Sequence, residues 1–211
     1  LLPARKYSSK SVCNPKISVL MPSLNVSKYI CECILSVINQ TFRDIEIICI
    51  DAGSTDGTAD ILESFAKRDK RIKILHSEQK SYGYQMNLGL MEARGDYIGI
   101  VETDDWIEED MYEKLWNAAN ETGSDIVKSN YFHYTTHPKV ENKPFENLSK
   151  CKYNQLFSPL EERMIFSTTP AIWSGIYKKD MLYEKKVRFN ETKGASYQDT
   201  SFHFIVCTVA D

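Results

Sequence analysis

The 211-residue sequence lacks the features that mark several large classes of protein. Its 26 lysines and arginines are outnumbered by 29 aspartates and glutamates, so no basic excess is present to attract nucleic acid or an anionic membrane surface. No apolar run approaches the ~18 residues that a membrane-spanning helix needs. The first residues also lack the charged-then-apolar order of a signal peptide. We therefore expect no nucleic-acid partner, no membrane span in this chain, and a location in the cytoplasm or at the inner face of the membrane.

Patterns that hold structural metals or disulfides are missing as well. The six cysteines include no CxxC pair, and the four histidines form neither an HxxxH nor an HExxH pair. Cys31 and Cys33 would point to different faces of a helix, and Cys49 lies inside an apolar run. These observations favour reduced, structural thiols over a zinc site or a disulfide framework.

What the sequence does contain is a regular alternation of strand-like and helix-like segments from residue 17 to residue 129. Apolar residues make up 42% of the chain, which is enough for a sizeable core. The patterns predict strands at 17–21, 45–50, 72–76, 97–101 and 126–129, and helices at 27–39, 58–67, 84–93 and 109–122. This alternation predicts an α/β fold with a mostly parallel sheet flanked by helices, followed by an irregular part after residue 130.

Three unusual loops each follow a predicted strand, at 22–25, 51–58 and 102–105. Because crossovers between parallel strands are right-handed, the loops that follow those strands line one edge of the sheet. Open α/β sheets bind their ligands at that edge. The sequence therefore predicts that the three loops meet in a binding site.

The third loop carries three carboxylates within four positions, at Glu102, Asp104 and Asp105. Carboxylates this close repel one another and favour protonation of one member unless a cation compensates. Mg²⁺ or Mn²⁺, which prefer oxygen ligands, would do so. The alternative is a solvated turn that caps the next helix, since acids also favour helix N-termini.

The second loop, Asp51-Ala52-Gly53-Ser54-Thr55-Asp56-Gly57, is rich in glycine and small polar residues. Such a turn can offer backbone N–H groups to an anion, but its two acids make it a poor cradle for a phosphate. A carboxylate at a strand end is better suited to accept hydrogen bonds from a base or a ribose. The alternative is a helix-capping turn in which Asp56 or Thr58 is the cap.

These segments together resemble the family-two inverting glycosyltransferases of the GT-A fold. The resemblance rests on segments 17–25 (ISVLMPSLN), 36–42 (SVINQTF), 51–58 (DAGSTDGT), 82–89 (YGYQMNLG) and 95–107 (GDYIGIVETDDWI). It extends in order over residues 16–120, with a weaker continuation at 173–179 and 198–202. It implies a GT-A-type, Rossmann-like sheet whose nucleotide-sugar-binding half is 16–130. Residues 1–15 would be a leader or linker, and 131–211 an acceptor-side half that is incomplete at its C-terminal end.

The resemblance also implies a role for each matching residue. Those that would line the site of the nucleotide-sugar donor, such as a UDP-sugar, are Pro22, Ser23, Asn25, Asp51, Gly53, Ser54, Gly83, Asn87 and Asp104. Glu102 and Asp104 would hold a divalent cation, Mn²⁺ or Mg²⁺, against the donor diphosphate. Asp199 matches the general base of the family, and Trp173 is a candidate contact for the acceptor.

The sequence departs from the family pattern at four positions. Ala52 replaces a second Asp and Leu24 replaces an aromatic residue, and both changes affect expected contacts to the base. Glu102 replaces the first Asp of the metal motif and keeps its carboxylate. Gln198 replaces a Glu beside the proposed base Asp199.

The implied function is transfer of a sugar, with inversion, from a nucleoside diphosphate to a hydroxyl of a carbohydrate or lipid-linked acceptor, as in surface polysaccharide synthesis. One alternative is a non-catalytic nucleotide-sugar-binding module or an inactive fragment. A second is a nucleotidyltransferase, which predicts a Gly-rich loop bearing Lys or Arg after the first strand. The turn at 22–25, Pro-Ser-Leu-Asn, is not such a loop.

Overall fold

A computed structural model describes residues 8, 10, 12 and 14–211. The strands are β1 Ile17–Ser23, β2 Ile45–Asp51, β3 Ile72–His76, β4 Tyr97–Ile100, β5 Ile126–Lys128, β6 Tyr131–Thr135, β7 Glu141–Phe145 and β8 Gly175–Lys178. The α-helices are α1 Ile30–Ile38, α2 Thr58–Arg68, α3 Tyr82–Glu92, α4 Met111–Thr122, α5 Lys179–Glu184 and α6 Gln198–Val209. Most of the predicted leader at 1–15 lies outside the described residues, so that part of the domain division stays a prediction.

Six strands form one sheet in the order β3-β2-β1-β4-β8-β5. β1 pairs in parallel with β2 and β4, and β2 pairs in parallel with β3. β8 enters the sheet antiparallel between β4 and β5, and β6 and β7 form a separate two-stranded hairpin. The α/β fold class with a mostly parallel sheet is confirmed.

The central strands are apolar along their whole length because helices cover both faces of the sheet. Every residue of β1 and β2 is buried. On one face α1, α2 and α4 supply buried residues that include Ile34, Leu62 and Leu115. On the other face α3, α5 and α6 supply Met86, Leu182 and Phe202. Among the described residues, none of the helices has both the length and the apolar content needed to cross a membrane.

Strand β1 continues through Pro22, where the sequence pattern predicts that it stops. Pro22 is paired in register with Ile50 of β2, but its neighbour Ser23 is the residue whose carbonyl bonds to that side, so the backbone of Pro22 faces the β4 side. The pairing of β1 with β4 has already ended there, at Leu20 and Ile100. The Pro22 carbonyl is used nevertheless, since it accepts a hydrogen bond of 2.8 Å from Thr103 Oγ1. A proline is tolerated at such a position because it removes no ladder hydrogen bond.

Two helix starts also differ from prediction. α1 begins at Ile30 instead of after Ser27, although the Ile30 N–H already donates to the Val26 carbonyl at 2.9 Å; the Ser27 N–H donates to Asp56 Oδ2, also at 2.9 Å. α3 begins at Tyr82 instead of Tyr84, because Ser81 Oγ accepts the Tyr84 N–H at 3.2 Å and caps the helix.

The region after residue 130 contains more strand than its prolines suggest. Pro144 lies inside β7, whose only partner is β6 in this two-stranded sheet, so its missing N–H is tolerated. Residues 171–177, whose apolar sequence is strand-like, form a short 3-10 turn at Ile172–Ser174 followed by β8.

Candidate functional site

The three loops predicted to converge do meet at the carboxyl edge of the sheet. The register places Ser23 beside Asp51, and the Ala52 N–H donates to the Ser23 carbonyl at 3.0 Å. The hydrogen bond from Thr103 to Pro22 joins the third loop to the first. A cavity of about 200 Å³ opens beside them, lined by Pro22, Ser23, Leu24, Val26, Lys80, Ser81, Tyr82, Gln85, Glu102, Thr103, Asp104, Gly194 and Ala195.

The first and second loops hold each other through side chains. Asn25 has a left-handed backbone, with φ of 55°, and its N–H donates to Ser54 Oγ at 2.9 Å. Its side-chain Oδ1 accepts the Thr55 N–H at 2.9 Å. Asn is one of the few residues that adopts this conformation readily. Asn25 and Ser54 therefore fasten the first loop to the second, and neither is among the residues that line the cavity.

The Asp51 carboxylate is buried and turned onto its own loop. It accepts the N–H groups of Gly53 at 3.0 Å and of Ser54 at 3.1 Å. Gly53 has a φ of +77°, which only glycine adopts without strain, and this lets the loop close around the carboxylate. Both residues shape the loop, and contact of either with a ligand stays a prediction.

Asp56 completes the clamp between these two loops. Its carboxylate accepts the Thr58 hydroxyl at 2.6 Å and the Ser27 N–H at 2.9 Å. These hydrogen bonds hold the pKa of Asp56 well below its usual range, and the bond from the Thr58 hydroxyl has the largest effect. The N-cap of α2 is Gly57, which has no side-chain cap hydrogen bond, so neither Asp56 nor Thr58 is the cap; Asp56 instead fastens the second loop to the first.

In the third loop, residues 102–105, here called the acid loop, Glu102 is only partly exposed. A tyrosine from α3 holds it in place. Tyr82 donates its hydroxyl to Glu102 Oε1 at 2.6 Å. Burial raises the pKa of Glu102 to about 7; the Tyr82 hydrogen bond opposes this, and the charges of Asp104, Asp105 and Asp199 add to it. Asp104 is exposed at the mouth of the cavity.

This arrangement bears on the cation that the resemblance implies. In the part of the chain that the structure describes, no three His, Cys, Asp or Glu side chains are grouped to hold a metal ion. Glu102 and Asp104 are two carboxylates in an acid cluster whose mutual repulsion a cation would relieve. They fit a Mg²⁺ or Mn²⁺ ion that takes its remaining oxygen ligands from a bound diphosphate and water.

Gly83 and Asn87 reach the cavity indirectly, through the segment 187–195. A Cβ atom at Gly83 would lie 1.9 Å from the Asn190 carbonyl oxygen, so the segment packs on α3 only because this residue is glycine. The Asn87 amide donates to the Phe189 carbonyl and accepts the Phe189 N–H, both at 2.9 Å. Direct contact of either residue with a ligand stays a prediction.

The far end of this segment forms one wall of the cavity. Gly194 accepts the Tyr82 N–H at 3.0 Å and donates to the Lys80 carbonyl at 2.9 Å. The sequence reasoning missed Lys80, Ser81, Tyr82, Gln85, Gly194 and Ala195 as cavity residues. Ser81 is a typical helix-capping residue, which is a local sequence signal for a turn at Lys80, Ser81 and Tyr82. Nothing local in the sequence points to Gly194.

Asp199 lies in the first turn of α6, just after that wall. Its Oδ1 accepts the Thr200 N–H at 2.7 Å. The pKa of Tyr82 is raised first by burial and then by Glu102, and the charge of Asp199 contributes to the same shift. Asp199 is therefore close enough to the Tyr82–Glu102 pair to influence it. Trp173, by contrast, packs edge-on against Tyr131 at a centroid distance of 4.5 Å and is not part of the cavity wall.

Comparison with known proteins gives a consistent result. Residues 18–181 match the model of the family described as Glycosyl transferase family 2. Glycosyltransferase GlyG of Streptococcus pneumoniae is 41% identical over 119 residues, which are 56% of this chain and 40% of GlyG. The uncharacterized glycosyltransferase EpsJ of Bacillus subtilis is 30% identical over 188 residues, 84% of this chain and 54% of EpsJ. The chain thus spans about half or less of the length of these relatives.

Among solved structures, S. aureus TarS 1-349 superimposes with a TM-score of 0.78 at 24% identity, over 93% of this chain and 56% of that one. Its complex with UDP-GlcNAc has a TM-score of 0.77. At this level of identity the likeness concerns the fold.

Proposed function

Because the chain belongs to glycosyl transferase family 2, we propose that it transfers a sugar from a nucleoside diphosphate to an acceptor hydroxyl, with inversion at the anomeric carbon. One observation carries this proposal. The acid loop after β4, the turn after β1 and the wall ending at Gly194 line one cavity, and the charge of Asp199, which follows that wall in the sequence, contributes to the raised pKa of Glu102. That combination supplies a donor site and a candidate base at the same edge of the sheet.

The donor would lie with its nucleoside against the first two loops. Pro22 and Ser23 line the cavity, while Asn25, Ser54, Asp51 and Gly53 keep the loops in place through the hydrogen bonds described above. We propose a UDP-sugar as the donor, since the fold neighbour TarS was solved with UDP and with UDP-GlcNAc. Ala52 and Leu24 leave fewer polar and aromatic contacts for the base than the family pattern provides.

Asp104 and Glu102 would hold a divalent cation together with the donor diphosphate. When bound, such an ion neutralises the charge that develops on the departing nucleoside diphosphate. Tyr82 orients Glu102 by its hydrogen bond, so that the carboxylate does not swing away from the loop. Gly83 and Asn87 support the wall at Gly194 from behind.

Asp199 would act as the general base. It accepts the proton of the acceptor hydroxyl while that oxygen bonds to the anomeric carbon, and the bond from that carbon to the diphosphate oxygen breaks. Because attack and departure occur on opposite faces of the sugar, one displacement inverts the configuration. The acceptor, a carbohydrate or lipid-linked hydroxyl, would approach from the side of residues 131–211, where Trp173 lies.

The test is calorimetric titration with UDP, GDP and dTDP, each with and without Mn²⁺. The wild-type chain is compared with Asp104→Ala and with Asp60→Ala, which removes an exposed Asp from α2. We expect Mn²⁺-dependent binding of UDP that Asp104→Ala loses and Asp60→Ala keeps. A folded wild-type chain that binds none of the three nucleotides would refute the donor site. Binding without any turnover, unchanged by replacement of Asp199, would favour the non-catalytic binding module instead.

A further inference from the structure

The β6–β7 hairpin follows β5 and precedes β8 in the chain, and it forms a sheet of its own. It is unusually rich in aromatic residues. Its register pairs Tyr131 with Phe145, Phe132 with Pro144, His133 with Lys143 and Tyr134 with Asn142. Residues paired across two strands share a face, and neighbours along one strand point to opposite faces. The hairpin therefore has one face with Tyr131, His133 and Phe145 and a second face with Phe132, Tyr134, Asn142 and Pro144.

On the first face, the aromatic rings pack against one another and against Trp173. Tyr131 lies against Trp173 at a centroid distance of 4.5 Å and against Phe145 at 5.0 Å. His133 packs on Phe145 at 4.6 Å. The Tyr131–Trp173 contact attaches the hairpin to the body of the domain, whereas His133 and Phe145, which are both exposed, pack on each other within the hairpin.

The second face meets Trp106, which directly follows the acid loop. The Tyr134 ring stands edge-on to Trp106, with centroids 4.7 Å apart and planes at 80°. Trp106 is 41% exposed, Tyr134 46% and Phe132 51%. Trp106 is two residues beyond Asp104, which lines the cavity. We call the three rings of Trp106, Phe132 and Tyr134 the aromatic patch.

The chemistry around the aromatic patch discriminates between possible ligands. Exposed aromatic rings that adjoin a polar cavity are typical of a binding surface, since their ring faces remain unburied. Asn142 lies beside Tyr134 on the same face, and Asp104 and Asp105 lie beside Trp106. The acids would repel an anionic lipid headgroup. Neutral hydroxyl groups, by contrast, can donate to the acids and to the amide oxygen while the C–H face of a sugar ring covers an aromatic ring.

We propose that the aromatic patch of Trp106, Phe132 and Tyr134 binds a saccharide, so that the acceptor is a glycan that reaches the cavity across this surface. The inference rests on the proposed function for the direction of the glycan, but the binding itself does not require turnover. The right angle between Trp106 and Tyr134 forms a corner suited to one sugar ring, with Phe132 available to the next.

The experiment measures binding of three neutral tetrasaccharides, cellotetraose, maltotetraose and chitotetraose, by ligand-observed saturation-transfer NMR and by calorimetry. We expect the wild-type chain to bind at least one of them. Trp106→Ala and Tyr134→Ala should each weaken that binding about 5- to 10-fold, as expected for loss of one aromatic contact. Trp106→Phe, which keeps a ring, should retain most of it.

Two controls separate this site from the donor site. Tyr153→Ala removes another exposed tyrosine, outside the hairpin, and should leave tetrasaccharide binding unchanged. UDP with Mn²⁺ is titrated into every variant, and circular dichroism verifies the fold. If neither the wild-type chain nor any variant bound UDP while tetrasaccharide binding stayed intact, the donor assignment would be refuted and the aromatic patch supported.

Two results would overturn the proposal. One is a wild-type chain that binds UDP but none of the tetrasaccharides, or binds them equally well after Trp106→Ala and Tyr134→Ala. The other is binding to phosphatidylcholine vesicles that Trp106→Ala abolishes, which would make the patch a lipid contact.

Discussion

The Tyr82 hydroxyl donates a 2.6 Å hydrogen bond to Glu102 Oε1, and this contact joins the first turn of α3 to the acid loop after β4. The two residues are 20 positions apart in the sequence and belong to segments with different expected roles. Their contact means that one oxygen of the first metal-motif carboxylate is already engaged within the protein. We therefore propose Asp104, which is exposed at the cavity mouth, as the principal carboxylate for the cation.

Tyr82→Phe removes this hydrogen bond while keeping the ring. We expect the free energy of unfolding to fall by about 1–3 kcal/mol, because a hydrogen bond to a partly buried carboxylate is lost. We also expect weaker UDP binding in the presence of Mn²⁺, because Glu102 is no longer oriented. Urea unfolding and calorimetry measure the two effects. Tyr84→Phe, on the same helix, is the control, and equal UDP affinity in all three proteins would contradict the orienting role.

Gly83→Ala tests how closely the segment 187–195 packs on α3. The new Cβ would meet the Asn190 backbone oxygen at 1.9 Å, which forces the segment away. Overpacking of this kind costs about 1–3 kcal/mol. The measurement is urea unfolding, together with UDP binding, which should weaken as the wall at Gly194 moves.

Gly89→Ala in the same helix is the matched control, because its Cβ would meet only side-chain atoms of Ile50 and Leu20, at 3.1 Å. A Gly-to-Ala change gains up to ~1 kcal/mol of helix propensity in a helix interior, where Gly89 lies, and less in the first turn, where Gly83 lies. A Gly83→Ala protein that is as stable as Gly89→Ala would show that the close approach has no consequence.

Asp199→Asn should abolish transfer and spare donor binding. The amide cannot accept the acceptor proton, so we expect turnover to fall about 10²- to 10⁴-fold, the usual range for loss of a general base. UDP affinity should stay close to that of the wild type. Asp180→Asn, on the exposed side of α5, serves as the control. Full activity in Asp199→Asn would remove this residue from the mechanism.

The pair Asp69–Arg71 predicts how stability depends on pH. Arg71 Nη2 lies 2.8 Å from Asp69 Oδ2, and both side chains are buried. Burial alone would raise the pKa of Asp69, but the Arg71 hydrogen bonds and charge outweigh it, and the pKa is lowered. A lowered pKa stabilises the folded state above the unfolded value of ~3.9, and this contribution disappears as the pH falls through the folded value.

The free energy of unfolding should therefore decrease between about pH 5 and pH 3, with a shallower slope in Asp69→Asn. Urea unfolding at half-unit pH steps measures it. Asp96→Asn, which breaks the exposed pair with Lys16, should change stability by less than about 1 kcal/mol. Identical slopes in Asp69→Asn and the wild type would rule out this pair as a source of the acid sensitivity.

The sequence by itself determined the alternation of strands and helices and the edge at which the loops meet. Strand β3 was predicted at the residues where it lies, 72–76, because a partly exposed edge strand and an amphipathic helix each leave a local pattern of apolar residues in the sequence. The convergence of the turns after Met21, Ile50 and Val101 followed from the handedness of crossovers, which is common to all such sheets.

Only the tertiary structure decided which residues contact one another across the chain. β8 is inserted between β4 and β5, which reorders the sheet. Asn190 closely approaches Gly83, 107 residues away in the sequence, and Trp106 contacts Tyr134, 28 residues away. No local periodicity encodes such pairings, because they depend on how whole faces pack together. The meeting of the three loops could therefore be predicted from the sequence, whereas the wall at Gly194, the tyrosine that holds Glu102 and the aromatic patch could not.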